Sequence, residues 1–180
     1  MKKLMSLLAV AAIFAFSAHA QETNPTMQQN QESDVVDIAV QTDYLSSWMQ
    51  AIQASGMAEE LKEDGPYTIF APTNDAFQTL PTGTFDDLME SENREILKNL
   101  VKAHIVKGEY SADDISNGKT KEMMNGEELK VSQVGDQFML NGSTVITPDL
   151  EASNGVIHII DGLMVDRVEV QKEIERNPLR

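Results

Sequence analysis

Two hydrophobic periods divide this chain. From residue 34 to residue 105 apolar side chains recur every three or four positions, and from Lys119 to Val165 they recur every two. The first half therefore predicts helices. Ser33 is placed to cap a helix whose stripe is Val35, Val36, Ala39 and Val40. Thr42 or Asp43 can cap a second, carrying Tyr44, Leu45, Trp48, Met49 and Ile52 on one face and closed by Ser55-Gly56. A short turn at residues 57–61 and the turn residues Asp64-Gly65-Pro66 follow. Thr84 can cap a helix over residues 85–89. The strongest periodicity lies at 92–105, where Ile96, Leu97, Leu100, Val101, His104 and Ile105 share a face and Gly108 stops the run. Ser111 with Asp114 reads as one more capped turn.

The second half predicts short strands at residues 122–124, 128–134, 137–140, 143–147, 156–160 and 163–165. Asn125-Gly126, Gly135-Asp136, Asn141-Gly142, Asn154-Gly155 and Asp161-Gly162 punctuate them as turns. Helices first and a β-meander second make an α+β domain and not a parallel sheet. From Asp166 the chain is charged, ends Asn177-Pro178-Leu179-Arg180, and is expected to fray.

The sharpest local signal is Tyr67-Thr68-Ile69-Phe70-Ala71-Pro72-Thr73-Asn74-Asp75-Ala76-Phe77. Residues 67–70 are β-branched or aromatic, so they form a strand. Pro72 has no N–H to give a ladder and ends it. Thr73 then caps a helix, with Asp75 in its first turn where the dipole favours negative charge, and Ala76 and Phe77 turn inward. This stretch resembles the first signature of the fasciclin domain through Thr68, Phe70, Ala71, Pro72, Thr73, Asn74, Ala76 and Phe77. The family's second signature is matched by Asn154-Gly155-Val156-Ile157-His158-Ile159-Ile160-Asp161. Ala103-His104 falls where the family usually has a tyrosine followed by histidine, so Ala103 is a departure. The resemblance covers residues 34–168. It implies a β-sandwich or wedge of short strands with helices along one side, centred on the strand at residues 68–71. It also implies that the signature residues mostly hold the fold.

The ends have their own composition. Met1-Lys2-Lys3, the apolar run to Phe16 and Ser17-Ala18-His19-Ala20 read as a bacterial secretory signal cleaved after Ala20. Residues 21–32 are almost wholly polar and read as a flexible linker. The domain is placed at 33–168 and the charged tail at 169–180. The formal charge is −15; two lysines and no acid lie in the first twenty residues, so the remainder carries −17. Such a surface repels phosphate backbones and anionic lipid, which excludes nucleic-acid binding and stable membrane docking. The chain has no cysteine, so packing alone must stabilise it.

Little chemistry accompanies this frame. Beyond residue 20 only His104 and His158 remain as histidines, both among aliphatic residues and without a third ligand nearby. The expectation is a packed histidine, with His104 bonded to the corner at residues 73–75. Asp86-Asp87 and Asp113-Asp114 lack the alternating spacing of a calcium loop and suit helix starts. Trp48 has a core reading and a ligand-stacking reading. No cofactor, metal or catalytic group is predicted, so the chain is read as a non-enzyme. The resemblance implies adhesion through a protein or polysaccharide partner. In animal members, residues before the second signature and around the tyrosine–histidine site take part in integrin binding. The corresponding positions here are Asp149 and Leu150, beside Pro148, and His104, with an ordinary inter-strand loop as the plainer reading of the first. The expected protein is an exported monomeric recognition module. A small-ligand carrier or enzyme using a pocket between helices and sheet, and a structural envelope-stress protein, stay open as alternatives.

Overall fold

The computed structural model describes residues 33–177 apart from 64, 118–120 and 135–136. The signal and linker lie outside the described residues. The helical half comprises α1 (Val35–Gln41), α2 (Ser46–Ser55), α3 (Ala58–Glu63), α4 (Asn74–Gln78), α5 (Thr84–Met89), α6 (Arg94–Lys102) and α7 (Ala112–Ser116). Strand β1 (Tyr67–Pro72) lies between α3 and α4, and β2 (Ile105–Lys107) between α6 and α7. Then come β3 (Val131–Val134), β4 (Gln137–Leu140), β5 (Ser143–Ala152), β6 (Gly155–Ile160) and α8 (Arg167–Arg176). The class is α+β, with helices packed on a curled six-stranded sheet in the order β2-β1-β6-β5-β4-β3.

The meander is present in β3 to β6, all antiparallel. Strand β1, however, pairs parallel with β6, from Tyr67 opposite Gly155 to Pro72 opposite Ile160. The sheet is therefore mixed, and its two central strands are the two signature stretches. Each is buried along its whole length. Their alternation supplies two cores. Tyr67, Ile69, Ala71, Ile157 and Ile159 face the helical core with Trp48, Leu61 and Leu97. Phe70 and Ile160 face a smaller core with Val106, Ile115, Met123, Leu129, Leu140 and Met164.

Several boundaries differ from expectation. Asp34, not Ser33, caps α1: its carboxylate accepts the N–H groups of Val36 and Asp37. The long helical pattern at 92–105 divides into a single turn at Ser91–Asn93, α6, and strand β2 beginning at Ile105. Residues 122–124 make only isolated bridges, to Val106 and Glu128. Residues 163–165 form no strand. Strand β5 continues to Ala152, through Pro148-Asp149-Leu150, so that segment is not a loop. The Asn141-Gly142 turn has both residues at positive φ, as a tight hairpin requires.

The largest departure is at the C-terminus. The expected frayed tail is α8, capped by the Asp166 carboxylate and buried at Val170 and Ile174. Its Gln171 carboxamide accepts the Thr84 hydroxyl of α5. The i,i+4 spacing of Val170 and Ile174 beside an Asp cap is a helix signal, but ten residues dense in charge masked it.

Candidate functional site

The signature residues make an internal frame. Thr73 caps α4 through the Ala76 N–H, and Gln78 donates to the Asp75 carboxylate on the helix surface. Phe77 meets Phe85 edge-on with ring centres 5.2 Å apart. Asn74 reaches away from its own helix. Its Oδ1 accepts the Ser47 N–H at 2.9 Å and the Ser46 hydroxyl at 3.2 Å, and its Nδ2 donates to the Asp43 carbonyl. Leu45, at the N-cap of α2, offers no side-chain cap, so Asn74 does that work from another element.

Asn154 has the same kind of role. It accepts the Val35 N–H and donates to the Leu61 carbonyl, while its backbone carbonyl takes the Tyr67 N–H. Three elements are joined at one residue, α1 and α3 through its side chain and β1 through its backbone. Gly155 lets β6 approach β1: a Cβ there would stand 1.9 Å from the Tyr67 carbonyl oxygen. Asp161, just past β6, closes the end of the β5–β6 pair by accepting the Thr144 N–H at 2.6 Å.

The two histidines sit on opposite faces of the sheet. His104 is buried against Trp48, with ring centres 5.4 Å apart. Its Nδ1 donates to the Leu100 carbonyl at 2.8 Å and its Nε2 accepts the Met164 N–H at 2.9 Å. It does not touch the corner at residues 73–75, because both nitrogens are taken by backbone. It is not on the surface where a partner-binding role would require it. Burial lowers its pKa to about 4, the Leu100 bond opposing the shift.

His158 stacks on Phe70 and carries the opposite tautomer. Its Nε2 donates to the Tyr110 carbonyl at 2.9 Å, and its Nδ1 accepts the Asp149 N–H at 3.2 Å. Burial again holds its pKa down, against the Tyr110 bond and the Asp149 charge. Thr68 completes this side, donating to the Gly108 carbonyl and accepting the Tyr110 N–H. Between them Thr68 and His158 fix the segment that leads to α7.

Asp149 and Leu150 sit where β5 bulges. The pairing with β6 slips twice, between Val145 and Thr147 and between Thr147 and Leu150. Asp149 takes φ 54°, the left-handed region. One carboxylate oxygen accepts the Ala112 N–H at 2.8 Å, yet the side chain is 46% exposed. Leu150 turns the other way and packs partly on the helical core. Ile146, half exposed, stands on the same bulged ridge. The structure thus gathers Asp149, Ala112 and His158 at one place and sends His104 to another. Tyr110 and Ala112 contribute backbone groups, which no residue pattern marks.

Among the described residues no three His, Asp or Glu side chains gather as a metal site, and no helix is long and apolar enough to cross a membrane. Trp48 is closed within the core, and its indole N–H has no hydrogen-bond partner among the described residues.

Comparison with known proteins decides the family, since the Fasciclin domain model matches residues 43–166. The chain belongs to the fasciclin-domain family. Protein sll1483 of Synechocystis is 37% identical over 131 residues, covering 73% of this chain and 72% of that protein. The transforming growth factor-beta-induced protein ig-h3 of Sus scrofa is 38% identical over 116 residues, 64% of this chain but 17% of that protein. The immunogenic protein MPB70 of Mycobacterium bovis is 25% identical over 153 residues, covering 82% of this chain and 77% of its own. Among solved structures, a FAS1 domain pair from the insect cell adhesion molecule Fasciclin I superposes with a TM-score of 0.67 at 18% identity, covering 77% of this chain and 52% of that one.

Proposed function

We propose that this fasciclin domain is exported, with its signal removed after Ala20, and acts as a monomeric adhesion module. It holds a protein or polysaccharide of the cell surface or matrix without catalysis, and the bulged ridge of β5 is its contact point. The observation that carries this reading is Asp149. Its backbone is held in a left-handed turn by His158, one carboxylate oxygen is anchored on Ala112, and the side chain still presents to solvent beside Pro148 and half-exposed Ile146. A charged group preset in position beside an aliphatic one loses little conformational freedom on binding.

Trp48 and His104 do not support the carrier or enzyme readings. The first is closed in the core, and the second has both ring nitrogens engaged by backbone. The test is retention of residues 21–180 on envelope and matrix fractions of the producing organism, with Asp149→Gly and Ile146→Asp alongside. Glycine accepts the left-handed backbone, so Asp149→Gly removes the carboxylate with little strain. A partner retained by the parent and lost with either variant, at unchanged circular dichroism, is the expected result. Equal retention by all three would sink the ridge as the contact.

A further inference from the structure

A second surface lies apart from that ridge. Between α6, α8, the 162–166 segment and residues 127–132 runs a cleft of about 1300 Å³. A shallower stretch of about 440 Å³ along α6 and α8 shares Ile96, Asn99 and Glu173 with it, so the two are continuous. Ile146, Pro148 and Asp149 line neither.

The floor is apolar: Leu163 is buried, Ile96 and Val165 are half-buried, and Val168 is 59% exposed in the first turn of α8. An apolar side chain that exposed, opening onto a cleft floored by others, is surface left to be covered. The rim is acidic. The two stretches together carry seven acids and three cations, a formal excess of four negative charges. Glu169 is offset by Arg176 and Lys172, and Asp166 is occupied by the cap of α8. Glu92, Glu95, Glu127, Glu128 and Glu173 have no ion-pair partner among the described residues.

Charge complementarity selects among occupants. A second copy without residues 1–20 would bring another −17, that is −15 less Lys2 and Lys3, against an acidic rim. A polysaccharide would want aromatic platforms, and no aromatic side chain is among the described residues that line the cleft. A bare cation would find no group of three ligands there. We propose that this cleft is a docking groove for a cationic amphipathic peptide segment of another protein. Its apolar side chains would cover Ile96, Val165 and Val168, and its lysines or arginines would meet Glu127, Glu128 and Glu173. Such a segment, laid along a helix-lined groove, follows a common mode of peptide recognition.

The test is fluorescence anisotropy of residues 21–180 with a labelled amphipathic lysine–leucine peptide, with a glutamate–leucine counterpart and oligolysine as controls. The expected result is saturable binding of the lysine–leucine peptide alone. Glu128→Lys with Glu173→Lys should weaken it about tenfold, and Val168→Ser about threefold. Glu59→Lys with Glu151→Lys, exposed acids outside the cleft, should change it by less than about twofold. Circular dichroism checks that each variant is folded. Amide shifts in nuclear magnetic resonance should concentrate on α6, α8 and residues 127–132. Equal binding of oligolysine, equal loss in both charge-reversed pairs, or no binding of the lysine–leucine peptide would each overturn the groove.

Discussion

The imidazole of His104 and the backbone of Met164, 60 positions apart, share a buried hydrogen bond of 2.9 Å in which the ring nitrogen accepts. The other ring nitrogen gives its proton to Leu100. A protonated imidazole has no acceptor nitrogen, so this site admits only the neutral ring. The end of α6 is thereby tied to the segment that feeds α8.

That tie makes stability depend on pH. The pKa of His104 falls from 6.5 in the unfolded chain to about 4 in the folded protein. Below pH 6.5 the unfolded chain takes up a proton that the folded chain refuses. The group's contribution is thus complete above 6.5 and is lost progressively as pH falls toward 4. At about 1.4 kcal/mol per pH unit, the loss approaches ~3 kcal/mol. His158, shifted the same way by burial, adds to the trend. Urea unfolding followed by the single tryptophan, which sits beside His104, measures it. His104→Phe should be less stable at pH 7.5 but show a flatter decline between pH 6.5 and 4. Parallel declines would remove His104 as the source. Carboxylate titration is common to both proteins and cancels in the comparison.

The N-terminus of α2 depends on Asn74. Asn74→Ala deprives the Ser47 N–H and the Ser46 hydroxyl of their acceptor and should cost about 1–2 kcal/mol in chemical denaturation. A double-mutant cycle with His104 should show additivity, because the two side chains share no partner. A cycle of Asn74 with Ser46→Ala should show coupling. Additivity in the second cycle would mean that the helix end is satisfied by water instead.

Much of this frame was legible in the sequence where one segment sufficed to define it. The strand-to-helix corner at residues 67–77, the Asn141-Gly142 turn and the inward face of α6 follow from local propensity and period. What was not legible depends on distant partners. That Asn74 caps α2 and Asn154 caps nothing of its own but joins α1, α3 and β1 is set by tertiary approach. The parallel pairing of β1 with β6 is likewise a long-range choice; β1 sits among helices and carries no sign of its neighbour. Asp149 read as an exposed loop aspartate because a bulge has no compositional mark, and its contacts to Ala112 and His158 run mainly through backbone N–H groups.

Gly155 is where those two central strands meet most closely. With φ 154° and a virtual Cβ 1.9 Å from the Tyr67 carbonyl oxygen, any side chain must push β6 off β1. The neighbour is backbone, so no rotamer relieves the clash. Gly155→Ala should therefore destabilise the domain by about 3 kcal/mol or more, as overpacking against rigid surroundings does. Gly126→Ala is the matched control. Its φ of 88° is also positive, but nothing lies within 4 Å of its Cβ, so it should cost only about 1 kcal/mol. Similar midpoints for the two variants in urea would show that the sheet yields at Gly155.

The place of α8 in the domain can be tested by the same measurement. Ile174 is fully buried and Val170 is 6% exposed, and both join the helical core that holds Trp48 and Leu97. Removing most of the Ile174 side chain leaves a cavity next to α6, with a cost of about 2–4 kcal/mol for Ile174→Ala. A frayed tail would give a cost near zero, since an exposed apolar side chain in a mobile segment loses nothing on truncation. Val168→Ala, nearly two turns earlier and largely exposed, should be nearly neutral for stability, so the contrast within one helix reports burial rather than helix propensity. The Asp166 cap gives a second readout. Asp166→Ala frees the Val168 and Glu169 N–H groups and should cost about 1 kcal/mol. Deletion from Arg167 onward should lower the midpoint by more than either substitution, because it also removes the packing of α8 on α5 and α6. A deletion with the parent's midpoint would return residues 167–176 to the status of a tail.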